Sequence, residues 1–192
     1  MKEIPILFST AMVRAIIDGR KTVTRRVCKC PVSLIEELKE VDGFAWFGNC
    51  GVWKSEMPYQ AGDTLWVRET WCNIEDDIHY KADYIYRADG LYENDYWLKW
   101  RPSIHLPRKA ARLFLRVTDV RAERLQDITN EDAIKEGVGF YTPRFETDIA
   151  TSAWESATAR TKFCSLWDSL NARRGYGWDA NPWVFRVGFE KI

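Results

Sequence analysis

Eight residues, Gly19-Arg20-Lys21-Thr22-Val23-Thr24-Arg25-Arg26, bring together a glycine, four cations and two hydroxyls. Residue types at this density suit a site for an anionic or polar ligand; they also suit a solvated connection between a helix and a strand. A second run, Gly62-Asp63-Thr64-Leu65-Trp66-Val67-Arg68-Glu69-Thr70-Trp71, reads as a turn followed by a strand. Strand periodicity puts Trp66, Arg68 and Thr70 on one face and Val67, Glu69 and Trp71 on the other. The signatures of common enzyme classes are missing: there is no G-x-S-x-G elbow, Walker loop, G-x-G-x-x-G or H-E-x-x-H. Two histidines, His79 and His105, leave little room for a Ser-His-Asp mechanism, and the H-x-E and P-C-x-x-C pattern of zinc deaminases is absent.

Five cysteines, Cys28, Cys30, Cys50, Cys72 and Cys164, are too few and too dispersed for a disulfide scaffold. Cys28-Lys29-Cys30, with Cys50 and Cys72, could supply zinc thiolates, but the spacing is not a repeated C-x-x-C, and reduced, partly buried thiols are the expectation. Nothing in the sequence calls for a cofactor or a metal.

The elements that must position these residues read as mixed α and β. Ile4–Phe8 predicts a short buried strand, then a helix capped by Ser9 or Thr10, with Val13, Ile16 and Ile17 on one face and Gly19 as its stop. Thr22–Thr24 is extended. Ser33 and Glu36 form a capping box opening a helix around residues 33–40, and Phe44–Phe47 with Val52–Trp53 forms a hairpin around Gly48-Asn49. Thr64–Trp71 is one strand, residues 72–100 are short strands in long loops, and Arg112–Val117 alternates with Leu113, Leu115 and Val117 on one side. Thr129 with Asp132 caps a short helix ending at Gly137. Ser152 with Glu155 caps a longer one, with the stripe Phe163, Leu166, Trp167 and Leu170. Trp183, Phe185, Val187 and Phe189 alternate along a final strand. Strands ringed by a few helices predict an α+β fold built on a small, partly open mixed β-barrel.

Composition bounds the function. The chain has 192 residues, enough for one domain, with 46% apolar and 14% aromatic residues. Lys+Arg and Asp+Glu are both 28, so the net charge is zero, which disfavours nonspecific wrapping of duplex nucleic acid. Basic residues nevertheless concentrate at 14–30 and 101–124 and acidic ones at 75–95. These runs are either solvated faces or, for the basic pair, two segments converging on one ligand. No apolar run approaches the length of a membrane span, and the N-terminal apolar stretch is too short for a signal peptide, so the expectation is a cytoplasmic protein with no membrane partner.

Gly19-Arg20-Lys21-Thr22 with Thr24, the Gly62-Asp63 turn, and Ile128-Thr129 through Glu136-Gly137 resemble the ASCH domain, a PUA-like β-barrel. Trp66-Val67-Arg68-Glu69-Thr70-Trp71, Pro102-Ser103-Ile104-His105-Leu106-Pro107-Arg108 and Asn181-Pro182-Trp183-Val184 resemble its longer branch, found in phages and bacteria. The resemblance spans nearly the whole chain as a single domain, residues 1–192, with insertions near 28–60 and 72–110. It implies an amidohydrolase that removes the acyl group from N4-acetylcytidine and related N4-acylcytidines without metal, acting on a modified cytidine nucleoside or RNA. The catalytic residues it implies are Lys21, Thr24 and Glu136, with Glu131 one helical turn from Glu136. Substrate contacts are expected from Phe8, Arg26, Arg68, Glu69, Trp71 and His105, with Trp71 as a base platform. A non-catalytic RNA-binding module, or a ribonuclease using the same cations, is the alternative.

The implied chemistry has requirements of its own. Thr24 is a poor nucleophile without a base, and Lys21 serves as one only if burial or the neighbouring Arg20, Arg25 and Arg26 lower its pKa. Glu136 could then protonate the departing N4 or hold Lys21 in place. In the other assignment Glu136 activates water, Lys21 stabilises the oxyanion and Thr24 orients. Side chains three apart on a straight strand point to opposite faces, so Lys21 and Thr24 meet only if the chain turns or bulges at 20–22.

Overall fold

The computed structural model describes residues 1–28, 38–41, 44–47, 53–74, 83–91, 97–138, 154 and 157–192, with backbone alone at 38–41, 44–47 and 53–56. In chain order the strands and helices are β1 (Glu3–Leu7), α1 (Thr10–Ile17), β2 (Val23–Val27), β3 (Leu38–Val41), β4 (Phe44–Phe47), β5 (Trp53–Glu56) and β6 (Thr64–Arg68). They continue with β7 (Trp71–Asn73), β8 (Tyr84–Tyr86), β9 (Phe114–Arg124), α2 (Asn130–Lys135), α3 (Ala159–Asn171) and β10 (Trp183–Lys191). The fold is α+β, as expected.

Five strands form the main sheet in the order β1-β6-β9-β10-β2, with β1 and β6 parallel and the other pairs antiparallel. The alternation read from the sequence sets its inner face. Leu65, Val67, Leu115 and Val117 are at most 1% exposed, and they pack with Ile6, Phe8, Val187 and Phe189 against Val13 and Ile16 of α1. Burying four such side chains contributes on the order of 1.5–3 kcal/mol each. The ladder leaves β1 and β2 as its two edges, yet Arg26 on β2 reaches β1 and donates to the Leu7 carbonyl at 2.8 Å. The sheet therefore curls until its edges lie within one side chain of each other, an open barrel bridged by a guanidinium. In the second sheet, β3-β4-β5, residues 44–47 pair with 53–56, whereas the expected hairpin used Val52–Trp53 and a Gly48-Asn49 turn that lies outside the described residues; β7 pairs with β8.

Two of the expected helix caps are present. Ser9 accepts from the Met12 N–H at the start of α1, and Thr129 accepts from the Asp132 N–H at 3.1 Å at the start of α2. Four expectations changed. Residues 38–41 are strand β3, not the end of a helix, while the capping box at 33–36 lies outside the described residues. The strand expected over 64–71 stops at Arg68, because the chain changes partner: the Thr70 carbonyl accepts from the Arg87 N–H and Trp71 opens the ladder with β8. The Ser152–Glu155 cap also lies outside, and α3 begins at Ala159 behind a Thr158 cap. Finally, β10 is buried from Val184 to Phe189 without alternation, being central in the sheet and covered on one side by Phe163 and Trp167 of α3. Gly188 belongs to that crowding, since a Cβ there would lie 2.1 Å from Asp119 Oδ1.

Cys28 and Cys72 are buried and Cys164 is half-buried, while Cys30 and Cys50 lie outside the described residues. Among the described residues no His, Cys, Asp and Glu side chains group into a metal site. No described helix is long and apolar enough to cross a membrane.

Candidate functional site

Lys21 owes its position to two glycines. Gly19, at φ +74°, ends α1, and the Arg20 and Lys21 N–H groups then both donate to the Ala15 carbonyl, at 2.8 and 2.9 Å. Lys21 is thus in a turn, two residues before β2 begins, which is the bend that the Lys21–Thr24 spacing requires. On the other side, Gly137 at φ +76° ends α2, and a Cβ at this position would stand 3.0 Å from the Cβ atoms of both Ala15 and Lys21. Without that close approach Glu136 would not reach Lys21. Gly137→Ala combines left-handed strain with this crowding and is expected to cost about 1–2 kcal/mol. Thermal denaturation should show it as a Tm lower by about 2–8 °C for a chain of this size.

The lysine is 2% exposed. Its Nζ donates to the Glu136 carboxylate (Oε2, 2.6 Å), the Glu136 carbonyl (3.0 Å) and the Val23 carbonyl (2.8 Å), and it lies 5.7 Å from the centre of the Phe8 ring. All three ammonium protons are therefore engaged. Burial holds the Lys21 pKa below the ordinary lysine value, and the nearby Arg26 and Arg25 push the same way, while Glu136 pulls against them. The third neighbour named by the sequence, Arg20, is instead paired with Asp18.

Arg25 holds the carboxylate. Its side chain is 0% exposed and donates to Glu136 Oε1 at 3.1 Å, Asp132 Oδ2 at 2.9 Å and Glu123 Oε1 at 2.8 Å. Glu136 thus presents one oxygen to an arginine and the other to a lysine, in a setting dry enough for each contact to be strong. Glu131, the neighbouring candidate, is exposed on α2.

Beside this pair opens a cavity of about 440 Å³, within the usual range for small-molecule sites. Thr24, Arg25, Arg26 and Glu136 line one side of it. Phe163, Leu166, Trp167 and Leu170 line another, together with Asn171 and Arg174. The sequence had assigned the first four of these to a core stripe, and Phe163 and Trp167 are indeed buried; Leu170, in contrast, is 53% exposed. The helical spacing of the stripe was visible in the sequence, but nothing in it distinguished a wall facing a cavity from one facing the core.

Of the remaining expected contacts, Phe8 lies close to the pair, with the Arg26 guanidinium 5.2 Å from its ring centre. Arg68 adjoins Phe8 through its carbonyl, but its side chain stacks on Trp66 and donates to the Leu106 carbonyl. Glu69 is 1% exposed in a two-pronged ion pair with Arg112, at 3.0 and 3.1 Å; burial raises its pKa and Arg112 counters. Trp71 is core rather than an open platform: it is 4% exposed, packed on Leu106 and Ala110, with Tyr84 and Arg101 against its ring. His105 is exposed on a short turn at Ser103–His105. None of these five, Phe8 included, lines the cavity. The two basic segments meet mainly through carboxylates, as where Arg25 and Arg121 share Glu123 and Asp132.

No family model and no curated protein matches the chain. One solved structure is similar, the ASCH domain from Lactobacillus crispatus JV V101, at 12% identity and a TM-score of 0.41, covering 99% of this chain and 79% of that one.

Proposed function

We propose that this chain is an amidohydrolase that removes the acyl group from N4-acetylcytidine and related N4-acylcytidines, with Lys21, Thr24 and Glu136 at its centre. The observation that carries the reading is the buried contact of 2.6 Å between Lys21 and Glu136, with a lowered lysine pKa, beside a cavity that Thr24 lines. The motifs that resemble the ASCH family point to the same three residues, and a cavity of about 440 Å³ has the size of a small-molecule site.

Because every Lys21 proton is donated, the lysine becomes a base only by passing one on, and Glu136 Oε2 is the acceptor in place. The freed Nζ takes the Thr24 proton as the hydroxyl oxygen attacks the acyl carbon. Glu136, now protonated, gives its proton to N4 as the carbon–nitrogen bond breaks, and water then releases the acyl group from Thr24 as the acid. In the second assignment Glu136 takes the proton of an attacking water and Lys21 stabilises the oxyanion. Arg25 serves either route by fixing Oε1 and leaving Oε2 to the lysine.

Incubating the pure protein with N4-acetylcytidine and following cytidine release tests the reading; no turnover across several acyl groups would overturn it. Lys21, Thr24 and Glu136 supply nucleophile, base and acid between them, so activity should survive EDTA. A loss restored by added zinc would assign the chemistry to a metal. A neutral nucleoside neutralises few phosphates, so KM should change little between about 50 and 200 mM salt, where an extended nucleic-acid contact loses about a thousandfold or more.

The pH dependence has a definite sign. The reacting pair carries one proton between Lys21 and Glu136, and losing it to solvent leaves none for N4. Since burial lowers the lysine, kcat/KM should fall as pH rises, and the fall should come below the ordinary lysine value of about 10.4. A rate that stays level through that value would remove Lys21 from the role of base.

A further inference from the structure

We propose that the α3 side of the cavity is the acyl-binding wall, and that the chain favours large apolar acyl groups, such as hexanoyl, over acetyl. This rests on the amidohydrolase reading. Two chemically different sets of side chains line the cavity: Thr24, Arg26 and Glu136, with Val27, from β2 and the end of α2, and Phe163, Leu166, Trp167 and Leu170, with the polar Asn171, from α3.

The reacting amide must lie at Thr24 and Glu136, so the acyl group begins within one bond of the polar side and projects away from it. Ribose is a poor occupant for the apolar wall. Its hydroxyls would leave water without acceptors in return, whereas Arg26, Asn171 and Arg174 offer polar surroundings in the same cavity. The single carbon of an acetyl methyl covers little of a wall made of two leucines, a phenylalanine and a tryptophan. Leu166 is half-buried and Leu170 is 53% exposed, on a helix whose stripe is otherwise packed away, so apolar surface remains to be covered. The Arg25 guanidinium lies 5.9 Å from the centre of the Phe163 ring, which ties the wall to the group that also holds Glu136.

Each methylene taken from water onto such a wall favours binding by about fourfold. Across N4-acetyl-, N4-butyryl-, N4-hexanoyl- and N4-benzoylcytidine, kcat/KM should therefore rise, with hexanoyl at least about tenfold above acetyl. Leu166→Asn and Leu170→Asn should each lower the hexanoyl-to-acetyl ratio, a readout that a general loss of folding does not change. Calorimetric titration gives a second measure without turnover, using Thr24→Val if the wild type is active and the wild type if it is not. Tighter binding of hexanoyl than acetyl, with cytidine weakest, is the expected order. Turnover of N4-acetylcytidine with a flat or falling series would overturn the wall while leaving the amidohydrolase standing. Ordered binding with no turnover of any ester or amide would do the reverse, and equal binding of cytidine and the four acylcytidines would overturn the wall in either case.

Discussion

Lys21→Arg is expected to abolish turnover of N4-acetylcytidine, by a factor of about 10²–10⁴ or more. The substitution keeps the positive charge that Glu136 faces, but a guanidinium stays protonated and cannot take a proton from Thr24. Arginine is also larger than the space at a residue 2% exposed, so companion variants carry part of the test. Thr24→Val keeps the shape, deletes the hydroxyl and should be inactive, whereas Thr24→Ser keeps the nucleophile, frees its rotamer and should be weakened but measurable. Glu136→Gln should lose about 10²–10⁴-fold. Single-turnover rates with N4-acetylcytidine, on variants whose melting shows them folded, give the comparison. Partial activity in Lys21→Arg would favour an oxyanion role for the lysine. Near-normal rates in both Lys21→Arg and Thr24→Val would move the chemistry away from this pair altogether.

The largest effect on stability is expected from Arg25→Met. The guanidinium is 0% exposed and serves Glu136, Asp132 and Glu123, whose side chains are 5%, 13% and 13% exposed. Methionine replaces much of the stem but leaves three carboxylates facing one another without their shared cation. Removing one partner of a buried ion pair costs about 3–5 kcal/mol, because the remaining charges lose that counter-ion out of water, even with Lys21 still on Glu136 and Arg121 still on Glu123 and Asp132. For a chain of this length that corresponds to a Tm lower by about 6–20 °C. The loss should shrink as pH falls and the carboxylates take up protons, so the difference between wild type and variant narrows towards acid. A Tm within about 2 °C of wild type at neutral pH would show that the cluster is held by other contacts.

Local features were legible in the sequence. The caps at Ser9 and Thr129, the turn at 20–22, the inward side of Leu113, Leu115 and Val117, and the α+β class all depend on residues within a few positions of one another. For these the competing states are few, and capping, glycine freedom and strand alternation decide between them. The resemblance of the motifs named Lys21, Thr24 and Glu136, with Glu131 as the neighbouring possibility.

Tertiary structure decided what these residues touch. Lys21 and Glu136 are 115 positions apart, and their contact depends on Gly19 and Gly137 bringing two helix ends together. Which of two acids one turn apart faces the lysine follows from how α2 packs. Arg25, read as one cation among four, is the group that gathers three acids from β9 and α2 around itself. The break after Arg68 was equally out of reach, since alternation continues through it in burial while the hydrogen bonds pass to another sheet. Periodicity reports which face of an element is apolar. Whether that face meets core, as at Trp71, or a cavity, as along α3, is settled only by what packs opposite, and that is a property of the assembled fold.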